Sequence, residues 1–173
     1  MLTKVTQGHN KLAIRMSTFA LAATALLLAT ASVSASAPCK KVKGHYVEHI
    51  VTENCNSPVG LCIAGTYGGE LRGDFFGAAT SLIQTSDTPT TTVVLFTSDS
   101  VIHAQIKGKT GDLEIKNAGA FQSTGAGNIV DVQYITGGTG ELAGASGVIR
   151  ASGTFDSATG MGESDYEGLI CLP

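Results

Sequence analysis

The sequence predicts a single all-β domain, and three observations support this fold class. Only 14% of the 173 residues are charged whereas 22 are glycine, a balance unlike that of coiled coils and long-helix proteins. The length suits one domain. From Gly44 onward, short β-prone runs alternate with turns rich in Gly, Asn, Asp and Ser, and no helix is predicted. Such regular spacing is typical of a barrel or a sandwich.

The first 35 residues are predicted to be a secretory signal peptide. Lys4, Lys11 and Arg15 form a positively charged segment without acidic residues, residues 19–29 are apolar, and small residues follow. The apolar run is shorter than the roughly 20 residues that a membrane-spanning helix needs. The rest of the chain is therefore expected to be exported.

Cleavage is predicted after Ala35, because cleavage after Ala37 would leave Pro38 at the new N-terminus. Residues 36–43 would then form a leader, and residues 44–173 would form the folded domain. Three of the 11 basic residues and none of the 14 acidic ones lie in the signal, which leaves 8 basic residues and a net charge of −6. Phosphate binding depends on clustered Lys and Arg. We therefore expect a secreted or periplasmic protein with no nucleic-acid partner and, once the signal is removed, no membrane contact.

Four cysteines, Cys39, Cys55, Cys62 and Cys171, lie in the exported part. An even number of cysteines in an oxidising compartment predicts two disulfides. Six residues separate Cys55 from Cys62, which suits a bridged loop better than a zinc knuckle with its two to four intervening residues. Paired cysteines are not available as nucleophiles.

Each candidate strand is a β-branched or apolar run that is bounded by turn residues. The nine runs are residues 44–53, 61–71, 75–85, 91–97, 101–107, 112–117, 129–136, 147–155 and 162–171. Turns are predicted at residues 86–89, at Ser98 and Asp99, and at residues 107–109. The glycines inside these runs are expected where a barrel curves tightly or where two backbones approach closely.

Alternation is clearest in the 129–136 run. Val130, Val132 and Tyr134 share one face of this strand, and Asp131 and Gln133 share the other.

The run Ile-Thr-Gly-Gly-Thr-Gly-Glu-Leu-Ala-Gly-Ala-Ser-Gly at residues 135–147 resembles a glycine-rich element of the allene oxide cyclase and dirigent-like barrels, in which it joins two late strands. Residues 152–155, the 162–168 segment with Tyr166, and residues 96–100 are also similar to that superfamily. The resemblance covers roughly residues 44–173. It implies a closed antiparallel barrel of about eight strands with an apolar lumen, and such barrels often assemble as homodimers or homotrimers. Members include cyclases and isomerases of hydrophobic substrates, and dirigent proteins that steer a coupling without a catalytic group.

The resemblance also implies a catalytic carboxylate. Plant allene oxide cyclases place a Glu on the first strand, pointing into the lumen, and an Asn two residues later. Glu48 matches the first position, but Ile50 occupies the second, so the specific cyclisation is not expected. A lumenal Glu48 would have a raised pKa and could act as a proton donor or base.

Only one of the two faces of the first strand can point into the lumen. One face carries Tyr46, Glu48, Ile50 and Thr52, and the other carries His45, Val47, His49 and Val51. The resemblance favours the first face.

The residues from His45 to His49 also match the H-x-x-E-H pattern of a class of zinc peptidases. On a helix the two histidines would lie one turn apart and could share a metal. On a strand they would stand about 13 Å apart, at about 3.3 Å per residue, which is too far for one zinc ion. The β-branched content favours the strand, so no metal site is predicted.

A barrel could bring Tyr46, Tyr67, His103, Tyr134 and Tyr166 to one cavity as ligand-binding residues. The predicted function is the binding of a hydrophobic small molecule in the lumen. Isomerisation or cyclisation of this molecule would depend on the shape of the lumen and on the carboxylate of Glu48. The alternative is a non-catalytic dirigent-like or lipocalin-like binding protein, and no cofactor is predicted. A zinc hydrolase is the third hypothesis.

The barrel topology suggests the disulfide partners. If the number of strands is even, the last strand runs antiparallel to the first, and Cys171 lies beside Cys39. Cys55 and Cys62 would then close a loop at the opposite end. Since nine candidate runs are an odd number, two of them must belong to one bent strand.

Overall fold

The computed structural model describes residues 38–85 and 92–173. The predicted signal peptide, the predicted turn at residues 86–89 and the first residue of the 91–97 run lie outside the described residues. Within these ranges, no helix is both long enough and apolar enough to cross a membrane.

Eight strands form one closed antiparallel barrel in which each strand pairs with the next and the last pairs with the first. The strands are β1 (Cys39–Val51), β2 (Cys62–Gly69), β3 (Leu71–Gln84), β4 (Val93–Ile106), β5 (Lys109–Gln122), β6 (Ala126–Gly138), β7 (Ser146–Asp156) and β8 (Met161–Cys171). This architecture confirms the predicted fold class. Because the sheet closes on itself, it has no free edge among the described strands.

Two of the nine predicted runs form the single strand β4, so the turn predicted at Ser98 and Asp99 is wrong. Ser98 pairs with Ala79 on β3 and with Asn117 on β5, so the ladder continues through it on both sides. The Asn117 Nδ2 atom donates to Ser98 Oγ at 2.9 Å and to Ser100 Oγ at 3.0 Å. Hydrogen-bonded neighbours on both sides thus override the local turn preference of Ser and Asp.

The first strand begins earlier than predicted. Residues 39–43, expected to be part of a leader, pair with residues 167–171 of β8. Val42 is fully buried in this stretch. The leader prediction is corrected there, because pairing with the last strand extends β1 back to Cys39.

The glycine-rich run forms the connection between β6 and β7 that closes one end of the barrel. A short 3-10 helix, Gly140–Leu142, places the fully buried Leu142 across this end. Gly140 and Gly144 have φ values of +58° and +81°, a region that favours glycine. The following apolar residues pack around Leu142 to seal this half of the lumen: Leu71, Ile106, Leu113, Ala145, Ile149, Ile170 and Leu172.

Two disulfides brace opposite ends of the barrel. Cys39 is bonded to Cys171, which joins the first strand to the last, and Cys55 is bonded to Cys62 across the β1–β2 loop. These are the pairs expected for an even number of strands.

Candidate functional site

The centre of the lumen carries a polar layer, which consists of Tyr46 and Glu48 on β1, Tyr67 on β2, and Asp131 and Gln133 on β6. All five side chains are buried. The alternation of β1 that points Tyr46 and Glu48 inward leaves His45 and His49 exposed outside. This is the face that the resemblance favoured, although Ile50 and Thr52 at its far end are exposed.

Part of the polar layer is tied together by hydrogen bonds. The Tyr67 hydroxyl donates to Gln133 Oε1 at 2.9 Å. The Gln133 amide donates through Nε2 to Asp131 Oδ2, also at 2.9 Å. The chain fixes one oxygen of Asp131 and leaves its other oxygen unused.

Two buried carboxyl oxygens at this level have no hydrogen-bond partner in the protein: Glu48 Oε1 and Asp131 Oδ1. The side chains of Glu48, Asp131 and Ser164 are only 4%, 8% and 2% exposed. Ser164 lies on β8 opposite Tyr46 and two residues from Gly162, which is opposite Glu48. Buried oxygens without partners are costly, so this region of the lumen suits a hydrogen-bond donor or a cation.

Burial and mutual repulsion change the acidity of the two carboxyl groups. Desolvation, followed by the charge of Asp131, raises the pKa of Glu48 to about 7. Desolvation raises the pKa of Asp131 to about 6, while its hydrogen bonds to Gln133 and the Val132 amide act in the opposite direction. The pKa of Tyr46 is also raised by burial and by both carboxylates. Near neutral pH the two acids therefore change their protonation with small changes in pH.

A small apolar cavity lies next to Glu48, at the end of the barrel opposite the 3-10 helix. Its volume is about 50 Å³. Its lining combines Glu48 and Ser98 with Leu61, Ile63, Ala79, Phe96, Phe121, Ile129 and Phe155. We call this the phenylalanine end, because the rings of Phe96, Phe121 and Phe155 contact one another in sequence, with centroids 6.1 and 5.6 Å apart.

Gly162 makes room for the Glu48 carboxyl group. A Cβ atom at this position would stand 2.8 Å from Glu48 Oε1 and 2.9 Å from Phe155 Cδ2. Gly119 does the same for Phe96, whose ring would lie 2.6 Å from an added Cβ. These strand glycines thus allow the close approach that the sequence predicted for a tightly curved barrel.

Two predicted ligand-binding residues do not reach the lumen. His103 is exposed on the outside of β4, where its Nδ1 atom lies 2.6 Å from Asp112 Oδ1. Tyr134 is 52% exposed on the outside of β6. Both corrections follow from strand alternation, because Ile102 and Ala104 point inward on either side of His103, and Gln133 points inward beside Tyr134.

The other three predicted tyrosines are lumenal, but only two of them belong to the polar layer. Tyr46 and Tyr67 have ring centroids 4.9 Å apart. The Tyr166 hydroxyl instead serves the β2–β3 turn, where it accepts from the Leu71 amide at 3.0 Å and lies within hydrogen-bond distance of the Gly68 and Leu71 carbonyls. Its position therefore assigns Tyr166 to the closed half of the barrel.

The two histidines of the H-x-x-E-H pattern stand on a strand. His45 Nδ1 lies 3.3 Å from Asp165 Oδ1 on the neighbouring strand β8. Across residues 38–85 and 92–173, no three His, Cys, Asp or Glu side chains are grouped as metal ligands would be. The helical geometry that a shared metal would require is therefore not the geometry of β1.

Sequence reasoning missed Asp131, Gln133 and Ser164 as lumenal residues. A signal for the first two was present, since Ile129 and Ile135 are in phase with them and are buried on the same face of β6. No comparable signal marked Ser164, which lies between Glu163 and Asp165 on an otherwise polar stretch.

The fold and the polar layer define a closed eight-stranded antiparallel barrel with two acids in its lumen. The chain matches no family model and no curated protein. Among solved structures it is similar to two pterocarpan synthase dirigent proteins, GePTS1 and PsPTS1, each at 14% identity and a TM-score of 0.34. The match covers 81% of this chain and 88% of GePTS1, and 80% of this chain and 97% of PsPTS1.

Proposed function

We propose that the protein is a secreted barrel that binds a hydrophobic small molecule at the phenylalanine end of its lumen, with Glu48 as the polar contact. One observation carries this proposal. The Glu48 side chain lines an apolar cavity, and its buried Oε1 atom has no hydrogen-bond partner in the protein. Ligand sites are commonly apolar clefts with a few polar groups that fix orientation.

Export is supported by the N-terminal sequence pattern and by the two disulfides, which persist in oxidising compartments. Within the described residues, every cysteine is bonded.

The size of the cavity limits how a ligand enters. A volume of about 50 Å³ holds a small head group, whereas sites for larger ligands commonly occupy about 300 Å³ or more. Phe96 and Phe121 are only partly buried, so their rings can rotate outward at lower cost than a fully enclosed ring. We therefore expect a slim ligand whose far end displaces these two rings.

Neutral short-chain alkanols test this proposal. Addition of 1-hexanol should raise the melting temperature of the wild-type protein, because a ligand that binds only the folded state stabilises it. Ala79→Val adds two methyl groups to the cavity and should abolish this ligand-dependent shift. Ala78→Val, the same change on the outer face of the same strand, should preserve it. An equal shift in both variants would contradict binding at this end.

A second candidate function is isomerisation or cyclisation of the bound molecule by proton transfer. It is favoured by the pKa of Glu48, which burial raises to about 7, because an acid–base catalyst works best when its pKa is near the working pH. For a hydrophobic substrate that the wild-type protein isomerises, Glu48→Gln should lower kcat roughly 10²- to 10⁴-fold and leave binding intact. His45→Ala and His49→Ala should change the rate little. Undiminished turnover by Glu48→Gln would contradict proton transfer by Glu48 and with it this second function.

A further inference from the structure

The polar layer contains two carboxyl groups and no basic partner. Among the described residues, no Lys, Arg or His is buried, whereas Glu48 and Asp131 both are. A buried carboxylate without a counter-charge is strongly unfavourable. The lumen therefore favours either protonation of the acids or the arrival of a cation.

The donors already present do not meet the needs of these oxygens. The Tyr67 hydroxyl is used by Gln133, and Gln133 donates to Asp131 Oδ2. Glu48 Oε1 and Asp131 Oδ1 receive no hydrogen bond from the protein. The hydroxyls of Tyr46 and Ser164 are hydrogen-bonded to each other.

We propose that the ligand of this lumen is a slim apolar chain that ends in a primary ammonium group, which pairs with Glu48 and compensates the charge of Asp131 behind it. This inference rests on the proposed function and specifies its ligand class. A primary ammonium has three N–H donors and no acceptor, which suits a site that is rich in unsatisfied oxygens. Its small size matches a cavity of about 50 Å³, which is too small for a bulky quaternary head group.

The surrounding walls suit such a ligand. The rings of Phe121 and Phe155 line the cavity, and the ring of Tyr46 belongs to the polar layer. Aromatic faces attract cations. An alcohol of the same length would offer one donor and no charge. A carboxylate of the same length would be repelled by both acids.

Binding of a cation should be coupled to proton release. The titratable groups that interact with Glu48 are Asp131 from β6, Tyr67 from β2 and Tyr46 from its own strand, while Gly162 of β8 pairs with it and Ser98 of β4 lines the same cavity; none of these residues is basic. Without a cation both acids hold protons at pH 5.5, and an ammonium group must displace them there, whereas at pH 8 both are largely ionised. Since an alkyl ammonium stays charged up to about pH 10, affinity should increase between pH 5.5 and pH 8 because the protein loses its protons.

Titration calorimetry of the exported protein with n-hexylamine, 1-hexanol and hexanoate, in 0.15 M salt at pH 5.5 and pH 8, tests this inference. At pH 8, hexylamine should bind roughly tenfold to a hundredfold more tightly than hexanol, the range expected for a hydrogen bond to a charged group. The advantage should shrink at pH 5.5, where buffers of different ionisation enthalpy should report proton release from the acids on binding. Glu48→Gln should remove the advantage of the amine and retain hexanol binding, whereas Glu163→Gln on the outer face of β8 should change neither.

The outcomes separate this inference from the proposed function. Hexanol that binds as tightly as hexylamine at pH 8 would overturn the ammonium ligand and leave hydrophobic binding in place. Failure of both ligands to bind would overturn both proposals. If Glu163→Gln weakens hexylamine binding as much as Glu48→Gln does, the amine is attracted to surface charge, which would contradict the lumenal site. Ammonium chloride that binds as tightly as hexylamine would also contradict it.

Discussion

Glu48→Gln should increase the free energy of unfolding at pH 8 by about 3 kcal/mol. Glu48 has a pKa near 4.5 when unfolded and about 7 when folded, and each pH unit between these values is worth about 1.4 kcal/mol. Below pH 4.5 the carboxyl group is neutral in both states and adds no penalty. As the pH rises towards 7, the unfolded chain loses its proton first, so the wild-type protein loses stability. The glutamine variant avoids this loss.

Urea unfolding at pH 4.5, 6 and 8 measures this effect with the disulfides intact. The stability of the wild-type protein should decline between pH 4.5 and pH 8, and that of Glu48→Gln should decline less. Glu163→Gln, a change of the same chemistry at an exposed position, should follow the wild-type curve. Parallel curves for wild type and Glu48→Gln would mean that Glu48 is not buried as a charged group.

Removal of the Cys39–Cys171 disulfide by a double serine substitution should cost close to 5 kcal/mol, the largest stability effect of any change considered. This bond joins residues 132 positions apart, and the entropy that a crosslink removes from the unfolded chain grows with the length of the closed loop. It also joins the first and last strands, so its loss leaves only the β1–β8 hydrogen bonds to close the barrel.

The Cys55–Cys62 disulfide provides the matched control. It spans only 7 positions, so its removal should cost roughly half as much by the same loop-length relation. Denaturant unfolding of the two double variants compares them directly. A greater loss of stability on removal of Cys55–Cys62 would contradict the role assigned to barrel closure.

The regular spacing of turn residues and β-branched runs predicted a barrel or a sandwich, and the resemblance of the glycine-rich run to the allene oxide cyclase and dirigent-like barrels predicted the closed barrel. Gly140 and Gly144 have the positive φ values that the β6–β7 connection needs. The merging of two runs into β4 was not visible locally. It depends on the pairing of Ser98 with Ala79 and Asn117, two residues that are distant from it in sequence.

The candidate site was harder to predict, because the lumen is polar at its centre. On β6, apolar Val130 and Tyr134 face outward while Asp131 and Gln133 face inward, the reverse of the usual apolar-inward pattern. The reason is a partnership across the barrel, in which Tyr67 on β2 donates to Gln133. The phase of Ile129 and Ile135 marks this face of β6, but the partner strand that makes it lumenal is not visible in the local sequence.

Carbon-13 NMR titration of the side-chain carboxyl groups tests the central claim most directly. Comparison with Glu48→Gln and Asp131→Asn assigns the two signals. If the lumen holds a buried acid pair without a counter-charge, Glu48 should titrate with a pKa of about 7 and Asp131 with a pKa of about 6. Titration of both groups at their ordinary values of 4.5 and 3.8 would show carboxyl groups in contact with solvent and would contradict the lumenal site.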